Sequence, residues 1–336
     1  MSDATRTVAV ITNPHSTRNR ERPDHVARLA AIVGERGAVY PTASLDAIAP
    51  ALRAIARSGA AYCAVDGGDG TFHHTLRCAR ELERAGELGD ALPLFVPSGG
   101  GGINFLARHA GIRGEPEDVI RALCDRVAAA AAPPIVEVDS IAITGERLTG
   151  GGGFEPVDTV GFAIAGGGIG ENFMKKYNEA GDNGAWRVAR LVGRTLASYG
   201  VGARYADEMF RPTFARVTVD GTELPFSRLT VLSLGSLTIN VGGIFRFFPL
   251  AAEPGKMQVM VGAPSPLGII RAVPGMMRGG RLRGIAGYFE AACEEVTVEA
   301  RGDRLLDPLI DGEQYRGFRR IRYRIGERVR VPRVTA

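Results

Sequence analysis

The sequence predicts an α/β domain built on a doubly wound parallel sheet, followed by a mostly antiparallel β domain. Three observations predict this class. The chain has 336 residues, more than one typical domain length. Up to residue 134, short apolar runs alternate with segments of helical periodicity, the signature of a parallel sheet. From there on, β-branched and alternating segments dominate.

TVAVIT, at 7–12, is an apolar run that ends at Asn13-Pro14. DHVARLAAIVGER carries apolar residues at helical spacing and stops at Gly37, and AVYPT is a brief strand. SLDAIAPALRAIARSG reads as a helix with Ser44 as N-cap and Gly59 beyond its end. AYCAV is a buried-looking strand that delivers DGGDG to the helix TFHHTLRCARELERAG, where Thr71 is placed to cap. ALPLFVP leads into SGGGGINFLARHAG, and a further helix runs through PEDVIRALCDRVAAAA. That Ala-rich helix ends at Pro133-Pro134, which sets the boundary: one domain over 1–134, a second over 135–336, with the last residues able to return to the first. In the second, FARVTVDGTELPF is a hairpin signal with Asp220-Gly221 at its turn. RLTVLSLGSLTI, KMQVMVGA, EEVTVEA and RRIRYRI read as strands, interrupted by helical pieces at about 168–200 and 265–279.

Composition narrows the function classes. Hydrophobic residues make up 45% and charged residues 23%, enough apolar material for a core. Lysine occurs only at 175, 176 and 256, so GxxxxGK[ST] is absent and phosphate must be held by backbone N–H groups, arginines or a metal. Cys63, Cys78, Cys124 and Cys293 form no CxxC pair, which argues against a zinc site or a disulfide framework and suits a reducing cytoplasm. No signal pattern precedes the first strand, and the most apolar run is too short and polar to span a membrane. Eight arginines between 316 and 333 alternate with apolar residues, which reads as a strand with one solvated face more simply than as a nucleic-acid site.

The chemistry concentrates in the glycine loops. A parallel strand that feeds a glycine loop into a helix presents free N–H groups at the positive helix end, an anion site. Gly67, Gly68 and Gly70 allow a sharp turn there. Asp69 sits inside this run, and a carboxylate beside a polyphosphate is repulsive unless a divalent cation bridges them or the acid joins the chemistry. A second loop, VPSGGGGINFLAR, comes after the next strand and is similarly built, so both face one crevice.

GGDGT after an apolar strand, then P…GG.N.LAR..G, resembles the diacylglycerol kinase catalytic-domain family, which includes bacterial lipid kinases and sphingosine kinases. VITNPHS, Thr42, VGFAIAGGGIGENFMKKYNEAG, INVGGIFRFFPLAAEPGKMQVMV and LIDGEQY resemble further family segments in the same order. The resemblance implies a nucleotide-binding α/β domain, a C-terminal β-sandwich for the lipid and an intervening cleft. It implies ATP with Mg²⁺ and phosphorylation of a lipid hydroxyl, diacylglycerol-like or sphingoid. Asn13, Thr42, Gly67, Gly68, Asp69, Gly70, Thr71, Gly99, Gly100, Gly101, Gly102, Asn104 and Asp311 would surround the nucleotide. Glu313 would be the proton acceptor and Asp69 a second catalytic carboxylate; no metal ligand set is assigned. The implied partner is a lipid at a membrane surface, with no nucleic acid and no transmembrane segment. A cytoplasmic location, peripheral at the inner membrane surface, and a homodimer fit that picture.

The chain also departs from the family. His73-His74 replace the frequent Asn-Glu and are expected to be solvated on the helix surface. Glu253-Pro254-Gly255 stands where the family carries an acidic residue for a structural magnesium, so that site is expected to be lost. Two alternatives stand beside the lipid kinase: NAD kinase-like phosphorylation of a soluble nucleotide, since NAD kinases share GGDGT, and a catalytically impaired nucleotide- or lipid-binding protein. Residues 265–284 combine Leu267, Ile269, Ile270, Met276 and Met277 with Arg271, Arg278, Arg281 and Arg283, a pattern of either an interfacial segment or a helix packed on the sandwich.

Overall fold

The structure is a computed structural model that describes residues 7–16, 18–88, 92–179, 185–202, 204–241, 245–279, 281–282 and 284–336. Of the segments singled out above, Ala91, Ala180-Gly181, Gly242-Gly243-Ile244, Gly280 and Arg283 lie outside the described residues. The chain divides into two compact units, Met1–Val138 with Val329–Ala336, and Asp139–Arg328.

The first unit runs β1 Val8–Thr12, α1 His25–Val33, β2 Gly37–Pro41, α2 Ile48–Ser58, β3 Tyr62–Asp66, α3 Asp69–Arg84, β4 Leu94–Pro97, α4 Phe105–His109 and α5 Pro116–Ala128. The strands form a parallel sheet in the order β2-β1-β3-β4. All residues of β1 and β3 are buried, as expected for strands covered by helices on both faces. Helix α2 buries Ile48, Ala51, Leu52 and Ile55 at i, i+3, i+4 and i+7, and Gly59 ends it at φ +68°. Ser44 does not cap this helix: it precedes a 3₁₀ turn, Leu45–Ala47, without a side-chain capping bond, and α2 starts behind Ala47. The order matters for function. From β1 the chain steps outward to β2 and then returns past β1 to β3, so the topological switch lies between β1 and β3.

The second unit begins within β5 Ile135–Leu148 and continues through β6 Phe154–Gly161, β7 Ala163–Gly168, α6 Ile169–Glu179, α7 Ala185–Gly200 and α8 Arg204–Met209. Then come β8 Thr213–Val219, β9 Thr222–Glu223, β10 Arg228–Leu229, β11 Val231–Gly235, β12 Ile239–Val241, β13 Phe245–Phe247 and β14 Met257–Gly262. Helix α9 Pro266–Met277, β15 Tyr288–Cys293, β16 Glu295–Ala300, β17 Leu309–Ile310, β18 Glu313–Gln314 and β19 Phe318–Pro332 complete it.

One sheet has the order β10-β8-β16-β19-β5-β6 with β9 beside β8; the other is β15-β14-β11-β7-β17-β18. Ile143, Val217, Val298 and Tyr323 of the first and Ile164, Leu234, Val259 and Val261 of the second share one apolar core, so the two sheets form a sandwich. In β19, buried Ile321, Tyr323 and Val331 alternate with exposed arginines. Those arginines face carboxylates: Arg320 meets Glu299, and Arg322 and Arg324 meet Glu295. Helix α9 is packed on the unit through Ala272 and still turns Leu267 and Met277 outward beside exposed Arg271 and Arg278. No helix among the described residues is long and apolar enough to cross a membrane.

Candidate active site

The carboxyl ends of β1, β3 and β4 each carry a candidate loop. Asn13 follows β1, its N–H donating to the carbonyl of Asp66 at the end of β3 (2.9 Å). Its side-chain amide donates to Thr71 Oγ1 (3.2 Å), and its Oδ1 accepts the N–H of His15 (2.9 Å). Asn13 therefore bridges the two sides of the switch point. Helix α3 starts at Asp69 behind Gly68, so the carboxylate stands at the positive end of a 16-residue helix. Thr71 does not cap that helix; it lies inside the first turn, with its hydroxyl engaged by Asn13.

The two glycine loops touch each other. A Cβ on Gly101 would fall 2.4 Å from Gly68 Cα, and one on Gly100 would lie 3.2 Å from Gly67 N. Glycine is therefore required first by loop-on-loop backbone packing, before any ligand arrives. Asn104 shapes the second loop. At φ +53°, its Oδ1 accepts Gly101 N–H (2.8 Å) and its Nδ2 donates to Gly99 O and Gly101 O (2.6 and 2.7 Å). Leu106 N–H reaches Asp69 Oδ1 at 3.5 Å, linking α4 to the first loop. Thr42 is buried and donates to Thr12 O (3.2 Å), joining the ends of β2 and β1. Asn13, Thr42, the two loops and Asn104 thus come together at one edge of the sheet. His73 corrects the sequence reading: it is buried rather than solvated, 2% exposed, and packs edge-on against His74.

Beneath these loops lies a polar cluster that sequence reasoning missed. Asp66, fully buried, accepts on Oδ2 from Thr12 Oγ1 (2.7 Å) and Asn19 Nδ2 (2.8 Å), with His25 Nε2 at 2.7 Å. Its Oδ1 accepts from Ser98 Oγ (3.2 Å). The participants come from five separate places in the chain, positions 12, 19, 25, 66 and 98, and share no motif, so no local signal marks them.

In the second unit, Asp311-Gly312 is the turn between β17 and β18, and Glu313 opens β18. Asp311 Oδ1 accepts the N–H groups of Phe162 and Ala163, both at 2.9 Å. A further carboxylate, Glu171 of α6, is held above its ordinary range by burial, against the pull of Lys175 Nζ at 2.5 Å. An apolar cavity of about 180 Å³ opens between the sandwich and its helices, walled by residues such as Phe173, Phe245, Phe248, Met260, Val273 and Met276.

Two metal positions can be tested against these residues. A cation that travels with nucleotide phosphates needs one or two protein carboxylates, and Asp69 with the surrounding backbone fits that demand. The structural position at Glu253-Pro254-Gly255 does not fit a cation. Gly255 N–H donates to Asp139 Oδ2 (2.6 Å), and Arg328 Nε holds Oδ1 (2.9 Å), so the turn is fastened by a carboxylate and an arginine. Among the described residues, no group of three or more His, Cys, Asp or Glu is placed to hold a metal.

Residues 7–132 match the family model of the diacylglycerol kinase catalytic domain. Solved structures share the fold along the whole chain. A diacylglycerol kinase from Bacillus anthracis str. Sterne superposes with a TM-score of 0.58 at 14% identity, covering 98% of this chain and 96% of its own. Two others from that organism, described provisionally as diacylglycerol kinases, give 0.61 and 0.60 at 14% and 15% identity over the same shares. Curated protein sequences give no match. The glycine loops and the switch point described above all lie within the segment 7–132 that matches the diacylglycerol kinase catalytic domain.

Proposed function

We propose that the chain is an ATP-dependent kinase that transfers the γ-phosphoryl group to the hydroxyl of a lipid. The family supports the kinase half. The observation that carries the lipid half is the apolar cavity of the second unit, lined almost wholly by aliphatic and aromatic side chains. Such a wall suits acyl or sphingoid chains and offers nothing to the charged, hydroxylated NAD of the rival reading.

In this reading the paired glycine loops and the start of α3 receive the phosphates, and Asn13 and Asn104 keep the loops in shape. Magnesium bound with the nucleotide would neutralise phosphate charge. Asp69 would orient that complex, and Glu313 would take the proton of the lipid hydroxyl as its oxygen attacks phosphorus, worth about 10²–10⁴-fold.

The test is a panel assay. The full chain, labelled ATP and magnesium are mixed with micelles of diacylglycerol, monoacylglycerol or sphingoid bases, and separately with NAD. Label in a lipid, abolished by Asp69→Asn while nucleotide is still bound, is the expected result. Label in NAD alone, or nucleotide binding without transfer to any lipid, would overturn the proposal.

A further inference from the structure

The cluster at Asp66 roots all the candidate nucleotide loops. Thr12 ends β1, Ser98 opens the second glycine loop, and Asp66 itself leads into the first. Asn19 ties the Asn13 loop in as well, donating from Nδ2 to both Asp66 Oδ2 (2.8 Å) and Asn13 O (3.0 Å). Among the four side chains on this carboxylate, only His25 can carry a positive charge. Thr12, Asn19 and Ser98 are neutral. A carboxylate this deeply buried needs a cationic partner or a proton of its own.

His25 is the first residue of α1, and its side chain is 4% exposed. Its second ring nitrogen, Nδ1, faces Glu117 Oε1 of α5 at 3.3 Å. Both nitrogens thus meet carboxylate oxygens. The imidazolium satisfies both with N–H donors, whereas the neutral ring sets a lone pair against one of them. Of the remaining charges nearby, Asp24 also acts on the ring, and two arginines bear on Glu117. Arg22 lies at 3.4 Å and Arg28 at 3.8 Å from its oxygens, and Arg28 is shared with Asp24 at 2.7 Å.

We propose that His25 is a positioning residue whose imidazolium, through Asp66, fixes the three nucleotide loops, so that nucleotide binding weakens as this ring loses its proton. The identity of the ligand rests on the function proposed above; the coupling between ring and loops does not. The hydrogen bond to Asp66, aided by Glu117, raises the His25 pKa above its ordinary value despite burial. A raised folded-state pKa gives a contribution complete below the unfolded value of about 6.5, lost as pH climbs through the folded one. Loop order and nucleotide affinity therefore have an alkaline limb.

The experiment uses the full chain, which has five histidines. NMR follows the His25 ring and the amides of Gly67 and Gly100 from about pH 5.5 to about pH 9 without nucleotide. The magnesium complex of a non-hydrolysable ATP analogue is then titrated across the same range. Ring and amides are expected to share one midpoint above the ordinary histidine value, with analogue Kd rising about tenfold across it. Glu117→Gln, a change at the outer end of the cluster, should move both midpoints to lower pH. His25→Gln keeps a neutral donor and should bind at the weakened level independently of pH. Loop amides that ignore the ring, or midpoints unmoved by Glu117→Gln, would overturn the proposal even if His25→Gln fails to fold. Absence of analogue binding at every pH would instead sink the kinase reading, while the amide titration would still decide the coupling.

Discussion

Asp220-Gly221 and Asp311-Gly312 bend the second unit in the same way. Their φ angles are +45° and +81° in the first pair and +52° and +90° in the second. Each aspartate sends its N–H to a neighbouring strand and receives two successive backbone N–H groups on Oδ1, from Glu294 and Glu295 in one case and Phe162 and Ala163 in the other. The two turns differ in burial and in the glutamate each one leads to. Asp220 is exposed, and its strand continues to exposed Glu223, whereas Asp311 is 4% exposed and its turn ends on half-buried Glu313. The same turn chemistry therefore serves as a plain hairpin at one place and as the mount of a proposed catalytic carboxylate at the other. A short motif states the backbone geometry; the site depends on where the fold sets it.

The largest effect expected from this contrast is on turnover. Glu313→Gln should lower kcat by about 10²–10⁴, because the proton acceptor acts only in the transition state. Binding of an ATP analogue should stay within about twofold. Glu223→Gln, in the corresponding hairpin and paired with surface Arg216 and Arg301, should leave both unchanged. Equal losses of kcat and nucleotide binding in Glu313→Gln would make it a binding residue. Buried Glu171, with its raised pKa, would then be the carboxylate to change next.

A smaller contrast concerns stability. Asp311→Ala strands the N–H groups of Phe162 and Ala163, the first in a buried bond and the second in a partly buried one, at about 1–3 kcal/mol. Asp220→Ala exposes N–H groups that water can satisfy, so its cost should stay below about 1 kcal/mol. Placing alanine at positive φ burdens both variants alike, and it cancels in the comparison. Urea midpoints for the two variants, each set beside its Asp→Asn counterpart, which keeps the acceptor oxygen and tolerates the turn, measure the difference. Equal midpoints would mean that the Asp311 bonds carry no special weight.

The same division between local and convergent features explains what could be read from the sequence. Strand β3, its glycine loop and α3 are consecutive, so the position of Asp69 at a helix start was legible from residues 62–84. The alternation of β19 was legible because period two is local, and its arginines stand on the solvated face as that period requires. Thr71 is no cap because Gly68 already starts the helix, leaving the threonine inside the first turn. His73 lies three residues before buried Leu76 and four after Asp69, a spacing that places it on the packed face. The Asp66 cluster was beyond local reading. Positions 12, 19, 25, 66 and 98 meet only because the strand order sets β1 beside β3 and β3 beside β4. The glycines of the two loops likewise owe their necessity to one another, across more than thirty positions of sequence.

The smallest effect expected separates the two turns at their glycines. At both Gly221 and Gly312 an added Cβ would meet nothing within 4 Å. Neither substitution creates a clash, so each carries only the strain of a side chain at positive φ, about 1–2 kcal/mol. Gly221→Ala and Gly312→Ala should therefore unfold at similar urea concentrations. Relief of that strain would rotate the turn by a few degrees, which matters only where the next residue must be held to catalytic tolerance. Gly312→Ala should then lower kcat several-fold with little change in nucleotide binding, and Gly221→Ala should leave kcat intact. If Gly312→Ala turned over at the wild-type rate while Glu313→Gln did not, the carboxylate would be positioned by β18 and its partners, and the turn would be as passive as its twin.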